Sequence, residues 1–114
     1  MILSISISNH SKVPVKVYAF FYIHNKIEDV MLIELKEDQD SILGPKTFNI
    51  NKSKFYYKIF SIYVESNTLQ SVRLDNFEDC EQMKTLHLLV KSKDSNLILE
   101  KSDFLSTTSR QFWV

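Results

Sequence analysis

The sequence predicts an all-β fold, an antiparallel sandwich of Ig-like or jelly-roll-like type with about seven or eight strands, on three observations. Apolar residues recur at every second position along most of the 114 residues, polar turn clusters separate these runs at short intervals, and no helical pattern alternates regularly with them. Period-two spacing turns one face of a segment to a core and the other to water, whereas a helix repeats near 3.6. Many short strands without βα alternation pack as an antiparallel sandwich or a small barrel.

Leu3, Ile5 and Ile7 alternate with serines as the first strand, ended by the turn cluster Asn9-His10-Ser11-Lys12. Val13, Val15, Val17, Ala19, Phe21 and Ile23 form the second, closed by His24-Asn25-Lys26. The stretch from Glu28 to Gln39 fits two patterns. Met31, Ile33 and Leu35 have strand spacing, while Val30/Ile33 and Met31/Leu35 behind an Asp29 cap fit a helix, and strand is the expectation. Gly44-Pro45-Lys46 and Asn51-Lys52-Ser53 read as turns, and Tyr56 to Val64, dense in aromatic and β-branched residues, as a strand. Val72/Leu74, Leu86/Leu88/Val90 and Leu97/Leu99 complete the series, the last two parted by Lys93-Asp94-Ser95-Asn96. One short helix is expected near 76–83, where Asn76 offers a cap, Asp79 follows three residues on, and Phe77 and Cys80 lie at i, i+3. With a single glycine in the chain, Asn and Asp are expected at the positive-φ turn positions.

Composition narrows function mainly by exclusion. Residues 1–114 carry no repeat, low-complexity tract or linker and read as a single sandwich domain. Lys+Arg (14) balance Asp+Glu (14), which argues against a strongly nucleic-acid-coating protein and against an acidic tail. One glycine leaves no GxGxxG, GxxxxGK[ST] or GxSxG, so the familiar phosphate loops and nucleophile elbows are missing. Cys80 is the lone cysteine and forms no intrachain disulfide, which favours a reducing, cytoplasmic setting. The first residues alternate rather than form a signal peptide, and no apolar run reaches the length of a membrane span.

No cofactor or metal is expected. His10 and His24 fall in turns, and His87 faces away from Leu86 and Leu88, so the three histidines read as surface groups rather than zinc ligands. The acids Glu28 to Asp40 and Asp75 to Glu81 lack calcium-loop spacing and read as solvated edges. Cys80 sits among Glu78, Asp79 and Glu81, which oppose thiolate formation. Asn9-His10-Ser11 and Asn51-Lys52-Ser53 match the glycosylation pattern, at a frequency close to chance.

Two features point to binding. Between Ser41 and Val64 there is no acid, and Lys46, Lys52, Lys54 and Lys58 interleave with Phe48, Phe55, Tyr56, Tyr57, Phe60 and Tyr63. Phosphate attraction plus stacking platforms is what single-stranded nucleic acid requires, with Lys52, Lys54, Lys58 and Tyr56 as the contacts. The plainer reading is core aromatics flanked by solvated lysines. The second feature is Phe112-Trp113-Val114, an apolar cluster after a polar connector, which docks on its own sandwich or on a partner. The function expected is a non-enzymatic protein-interaction module, a small subunit or accessory factor of a larger assembly. RNA or single-stranded DNA binding through 46–63 and a hydrolase without a local motif are the alternatives.

Overall fold

The computed structural model describes residues 1–24, 26–75 and 84–102. The short helix expected near 76–83, Cys80, and the cluster Phe112-Trp113-Val114 lie outside the described residues.

Among the described residues ten strands form in chain order: β1 (Ile2–Asn9), β2 (Val15–Ile23), β3 (Lys26–Leu35), β4 (Asp40–Leu43), β5 (Thr47–Ile50), β6 (Ser53–Tyr56), β7 (Lys58–Glu65), β8 (Val72–Asp75), β9 (Lys84–Lys93) and β10 (Asn96–Lys101). Eight build two four-stranded sheets, ordered β10-β9-β1-β4 and β3-β2-β7-β8, and β5 and β6 form a separate hairpin. The expected β-sandwich therefore forms, with a hairpin added, but it is not antiparallel throughout. All pairs are antiparallel except β1 with β9, which run parallel because the chain crosses to the second sheet and returns between them. The stretch beginning at Glu28 is strand, as its period-two pattern predicts.

The core is the inward row of each sheet. Ile5, Ile7, Leu43, Leu88, Val90 and Leu97 from one meet Val15, Val17, Ala19, Phe21, Leu35, Ile59, Ile62 and Val64 from the other, all buried. Each such aliphatic side chain contributes about 1.5–3 kcal/mol relative to exposure. Two hairpins turn on two consecutive positive-φ residues, Asn51-Lys52 and Asp94-Ser95, the backbone that matches strand twist. Asp38, Asn51 and Asp94 take positive φ as expected of Asn and Asp, and Lys12, His24, Lys52 and Ser95 join them. Gly44 (φ 83) precedes Pro45 through a cis peptide bond, and a Cβ there would sit 2.6 Å from the Leu3 carbonyl oxygen. Only a residue without a side chain fits that crossing.

One buried polar side chain ties three segments together. The Asn9 Nδ2 donates to the carbonyls of Val13 (2.8 Å), Leu35 (3.1 Å) and Lys36 (3.2 Å), while its Oδ1 accepts from the Ser11 N–H (3.0 Å) and hydroxyl (2.6 Å). Its main chain adds bonds to Gln39 and Asp38. Fully buried, Asn9 is closed to glycosylation and is the clasp between the β1–β2 turn and the β3–β4 connection.

Candidate protein-interaction surface

The outer face of the β3-β2-β7-β8 sheet does not follow the polar-out rule for a half-exposed antiparallel sheet. Residues of β2 that alternate with the core row are Lys16, Tyr18, Phe20 and Tyr22. Register places Leu32 beside Tyr18, Val30 beside Phe20 and Ile27 beside Tyr22 on one flank, and Tyr63 beside Tyr18 on the other. Ile27, Val30 and Leu32 are 47%, 42% and 49% exposed, and the rings are half-buried against one another.

The rings interlock. Tyr18 and Tyr63 lie 5.7 Å apart and Tyr22 and Phe60 5.0 Å, both tilted. The Arg73 guanidinium sits 5.2 Å over the Phe20 ring and is held there by Asp75 through Nε bonds of 2.9 and 3.1 Å. The Tyr18 hydroxyl donates to Glu65 Oε1 at 2.6 Å, and that bond, with some desolvation, raises the Tyr18 pKa above its ordinary value. Tyr22 reaches the Ser61 hydroxyl at 3.2 Å. Polar groups from β7 and β8 thus border the rings on one side, while the β3 side of the face is aliphatic and exposed.

The lysine and aromatic segment continues this surface. In the β5–β6 hairpin Phe48 stacks on Phe55 at 5.5 Å and meets Tyr57 edge-on at 5.0 Å, and Tyr57 in turn meets the core ring of Phe21. Lys52 occupies the hairpin turn, exposed. Lys54 lies over the exposed Tyr56 ring at 5.9 Å and Lys58 over Phe60 at 4.9 Å. Tyr56 and Lys58 share an open cleft of about 500 Å³ with Tyr22, Ile23, Phe48 and Phe55. The structure brings Lys54, Tyr56 and Lys58 to one place, with Lys52 farther out at the tip. Lys46 turns away from them and pairs with Asp29 at 2.7 Å, a bond that lowers the Asp29 pKa and raises that of Lys46.

No comparable cluster of catalytic groups is present among the described residues. His10 follows β1 at one end of the sandwich, His24 follows β2 at the other, and His87 lies within β9 opposite Ser6. No group of three metal-ligating side chains forms among the described residues. No described helix is long and apolar enough to cross a membrane.

No family model matches this sequence, and no curated protein matches it. Among solved structures, the chain is similar to the T6SS lipoprotein TssJ1 from Pseudomonas aeruginosa, at 6% identity and a TM-score of 0.47, covering 89% of this chain and 95% of that one. Similarity at that level carries no argument about function.

Proposed function

We propose that this chain, as one domain over 1–114, is a non-enzymatic protein-interaction module, a small subunit or accessory factor of a larger assembly. Its partner docks on the outer face of the β3-β2-β7-β8 sheet. The observation that carries the reading is the apolar and aromatic composition of that face, where Leu32, Val30, Tyr18, Phe20, Tyr63 and Phe60 stand in place of the polar residues water would favour. Aromatic residues and arginine dominate interface hot spots, and Arg73 over Phe20 supplies both. Phe112, Trp113 and Val114 remain part of the proposal as a second anchor, and a cytoplasmic setting goes with it on the lone cysteine.

Binding of RNA or single-stranded DNA is the second reading, favoured by Tyr56 and Lys58 at the cleft with Lys54 over the Tyr56 ring. Against it, Phe48 and Phe55 stack on each other rather than standing free for bases, and the whole chain is electrically neutral.

A pull-down at low and high salt, with bound protein and nucleic acid both identified, tests the two. The protein-binding reading expects a salt-resistant partner that is lost from a Phe20→Ser/Tyr63→Ser variant, with the 111–114 deletion reporting on the tail. A salt-sensitive nucleic acid retained by that variant and lost from Lys54→Ala/Lys58→Ala establishes the second reading instead.

A further inference from the structure

We propose that the free edge of β3 pairs with β3 of a second copy of this chain, antiparallel about a two-fold axis at Val30, joining two β3-β2-β7-β8 sheets into one. This goes beyond contact with a different protein and stands on the edge strand alone.

The described edges differ in length. β4 and β8 have four residues each and β10 has six, whereas β3 runs for ten. Short edges, prolines and edge charges are how sandwiches avoid joining to one another. β3 contains no proline, and although Lys26, Glu28, Asp29 and Glu34 are edge charges, they are of mixed sign and Asp29 is already paired with Lys46; between them the strand carries the exposed aliphatics Ile27, Val30 and Leu32 toward its outer face.

The occupant follows from the register. β3 contains a bulge: Phe21 pairs with Asp29 and Tyr22 with Ile27, so Glu28 is passed over. That skip returns Ile27 to the face shared by Val30 and Leu32. Counted in ladder rungs, Ile27 and Leu32 each lie two rungs from Val30, on opposite sides. A strand running antiparallel about Val30 then sets Val30 against Val30 of the second copy, Leu32 against its Ile27, and Ile27 against its Leu32. Three apolar cross-strand pairs result on one face, the unit from which sheets gain stability. On the inner face Met31 meets Asp29 of the second copy and Ile33 meets its Lys26. No like charges are directly opposed, and Glu34 lies one rung beyond Lys26 of the second copy. Such self-complementarity is what an isologous contact requires, and it selects a second copy over an unrelated strand.

The backbone is prepared for the exchange. The Val30 N–H donates to Asp29 Oδ1 at 2.8 Å, which marks it as an edge-facing donor rather than a rung of the β2–β3 ladder. Asp29 Oδ2 holds Lys46 at 2.7 Å and fixes that carboxylate. In the pair, the Val30 carbonyl of the second copy takes this N–H, and Asp29 keeps Lys46. The carboxylate satisfies the donor while the edge is empty, so pairing is reversible. Tyr18, Phe20 and Tyr22 stand directly behind the three aliphatics and extend one apolar band across both copies.

Sedimentation velocity of the full chain over a concentration series tests the proposal, with Val30→Lys, Val30→Glu and an equimolar mixture of the two. The wild type is expected to shift from monomer to dimer as concentration rises. Each single variant places like charges on the two-fold and should weaken the dimer by about tenfold or more, while the mixture restores a one-to-one pair. Ile42→Lys, on the exposed face of the other sheet, should leave the dimer unchanged. A wild type that stays monomeric up to about 1 mM, where affinity is only about 4 kcal/mol, overturns the self-pairing. So does a dimer indifferent to both Val30 variants. Either result leaves the Phe20 and Tyr63 contact to its own pull-down. Thermal melts confirm that the variants fold, and Val30→Thr, β-branched and uncharged, should retain the dimer.

Discussion

Replacing Asn9 by alanine removes a side chain that is wholly buried and makes five hydrogen bonds. Not all of its partners are orphaned. The Val13 carbonyl keeps the Ser11 hydroxyl at 3.1 Å, the Lys36 carbonyl keeps the Gln39 N–H at 3.1 Å, and the Leu35 carbonyl lies in the β2–β3 ladder opposite Val15, so the group left short is mainly the Ser11 N–H. A buried polar group stranded in this way costs about 1–3 kcal/mol, which is the loss expected for Asn9→Ala. A domain of this size has only about 5–15 kcal/mol in total, so the melting temperature should fall by about 5–15 °C. Asn9→Asp is the sharper test because it keeps the shape and turns the donor into an oxygen facing three carbonyls. Its folded-state carboxyl pKa must rise, since only the protonated form can donate. A raised folded pKa means stability is greatest below the unfolded value near 3.9 and declines as pH rises above it, by about 1.4 kcal/mol per pH unit until the folded pKa is passed. Urea titrations of wild type, Asn9→Ala and Asn9→Asp between pH 3.5 and 7 measure this. An Asn9→Ala cost under about 1 kcal/mol, or an Asn9→Asp profile parallel to wild type, would refute the clasp.

Gly44→Ala should destabilise the chain by several kcal/mol, of order 2–4 by analogy with strained or overpacked sites, because its φ of 83 is unfavourable for alanine and the new Cβ meets the Leu3 carbonyl at 2.6 Å; a melt within a few degrees of wild type would contradict the crossing described. Asp29 has a lowered pKa in the fold, so its contribution is present above the unfolded value near 3.9 and lost as pH falls through the lower folded one. Lys46, raised, contributes below about 10.4 and loses its contribution as pH rises beyond that. The stability difference between wild type and Asp29→Asn should therefore be flat from about pH 5 to 9 and shrink at both extremes, read by melts across pH. Lys54→Ala and Lys58→Ala should leave poly-U retention in a filter assay at background, as for wild type, whereas salt-sensitive retention that drops in these variants would favour the nucleic-acid reading. Chelator and reductant should leave the melting curve unchanged, and chelator-induced unfolding would reveal a structural metal.

The core rows were legible because period two is a local property. Val15, Val17, Ala19 and Phe21, and Ile5 and Ile7, stand buried where their alternation puts them. β4 was not legible, since Asp40-Ser41-Ile42-Leu43 is too short and polar to show a period, and Leu43 is buried only because β1 pairs with it. The parallel β1–β9 pair is set by a crossover between distant segments, which leaves no mark in either strand. Asn9 read as a turn residue because its bonds to Ser11 and Val13 are those of a turn, while the bonds to Leu35 and Lys36 that make it a clasp come from tertiary neighbours. The interaction surface did have a signal. Val17 to Ile23 is an unbroken apolar run, too short for a membrane span but also more apolar than a strand with one wet face requires, the pattern found in strands covered on both faces. The lysine and aromatic segment was visible as composition, while its division between core (Tyr57 against Phe21), hairpin (Phe48 on Phe55) and outer sheet face (Phe60 on Tyr22) depended on the fold.

The outer face of the β3-β2-β7-β8 sheet is the proposed binding site for a partner. The direct measurement is calorimetric titration of the captured partner against wild type, Phe20→Ser/Tyr63→Ser, and Ile42→Lys on the opposite sheet. If the face is the contact, the Phe20/Tyr63 variant loses about 2 kcal/mol or more, about thirtyfold in affinity, while Ile42→Lys binds as wild type does. Equal affinity for wild type and the Phe20/Tyr63 variant, both shown folded by their melts, would contradict it.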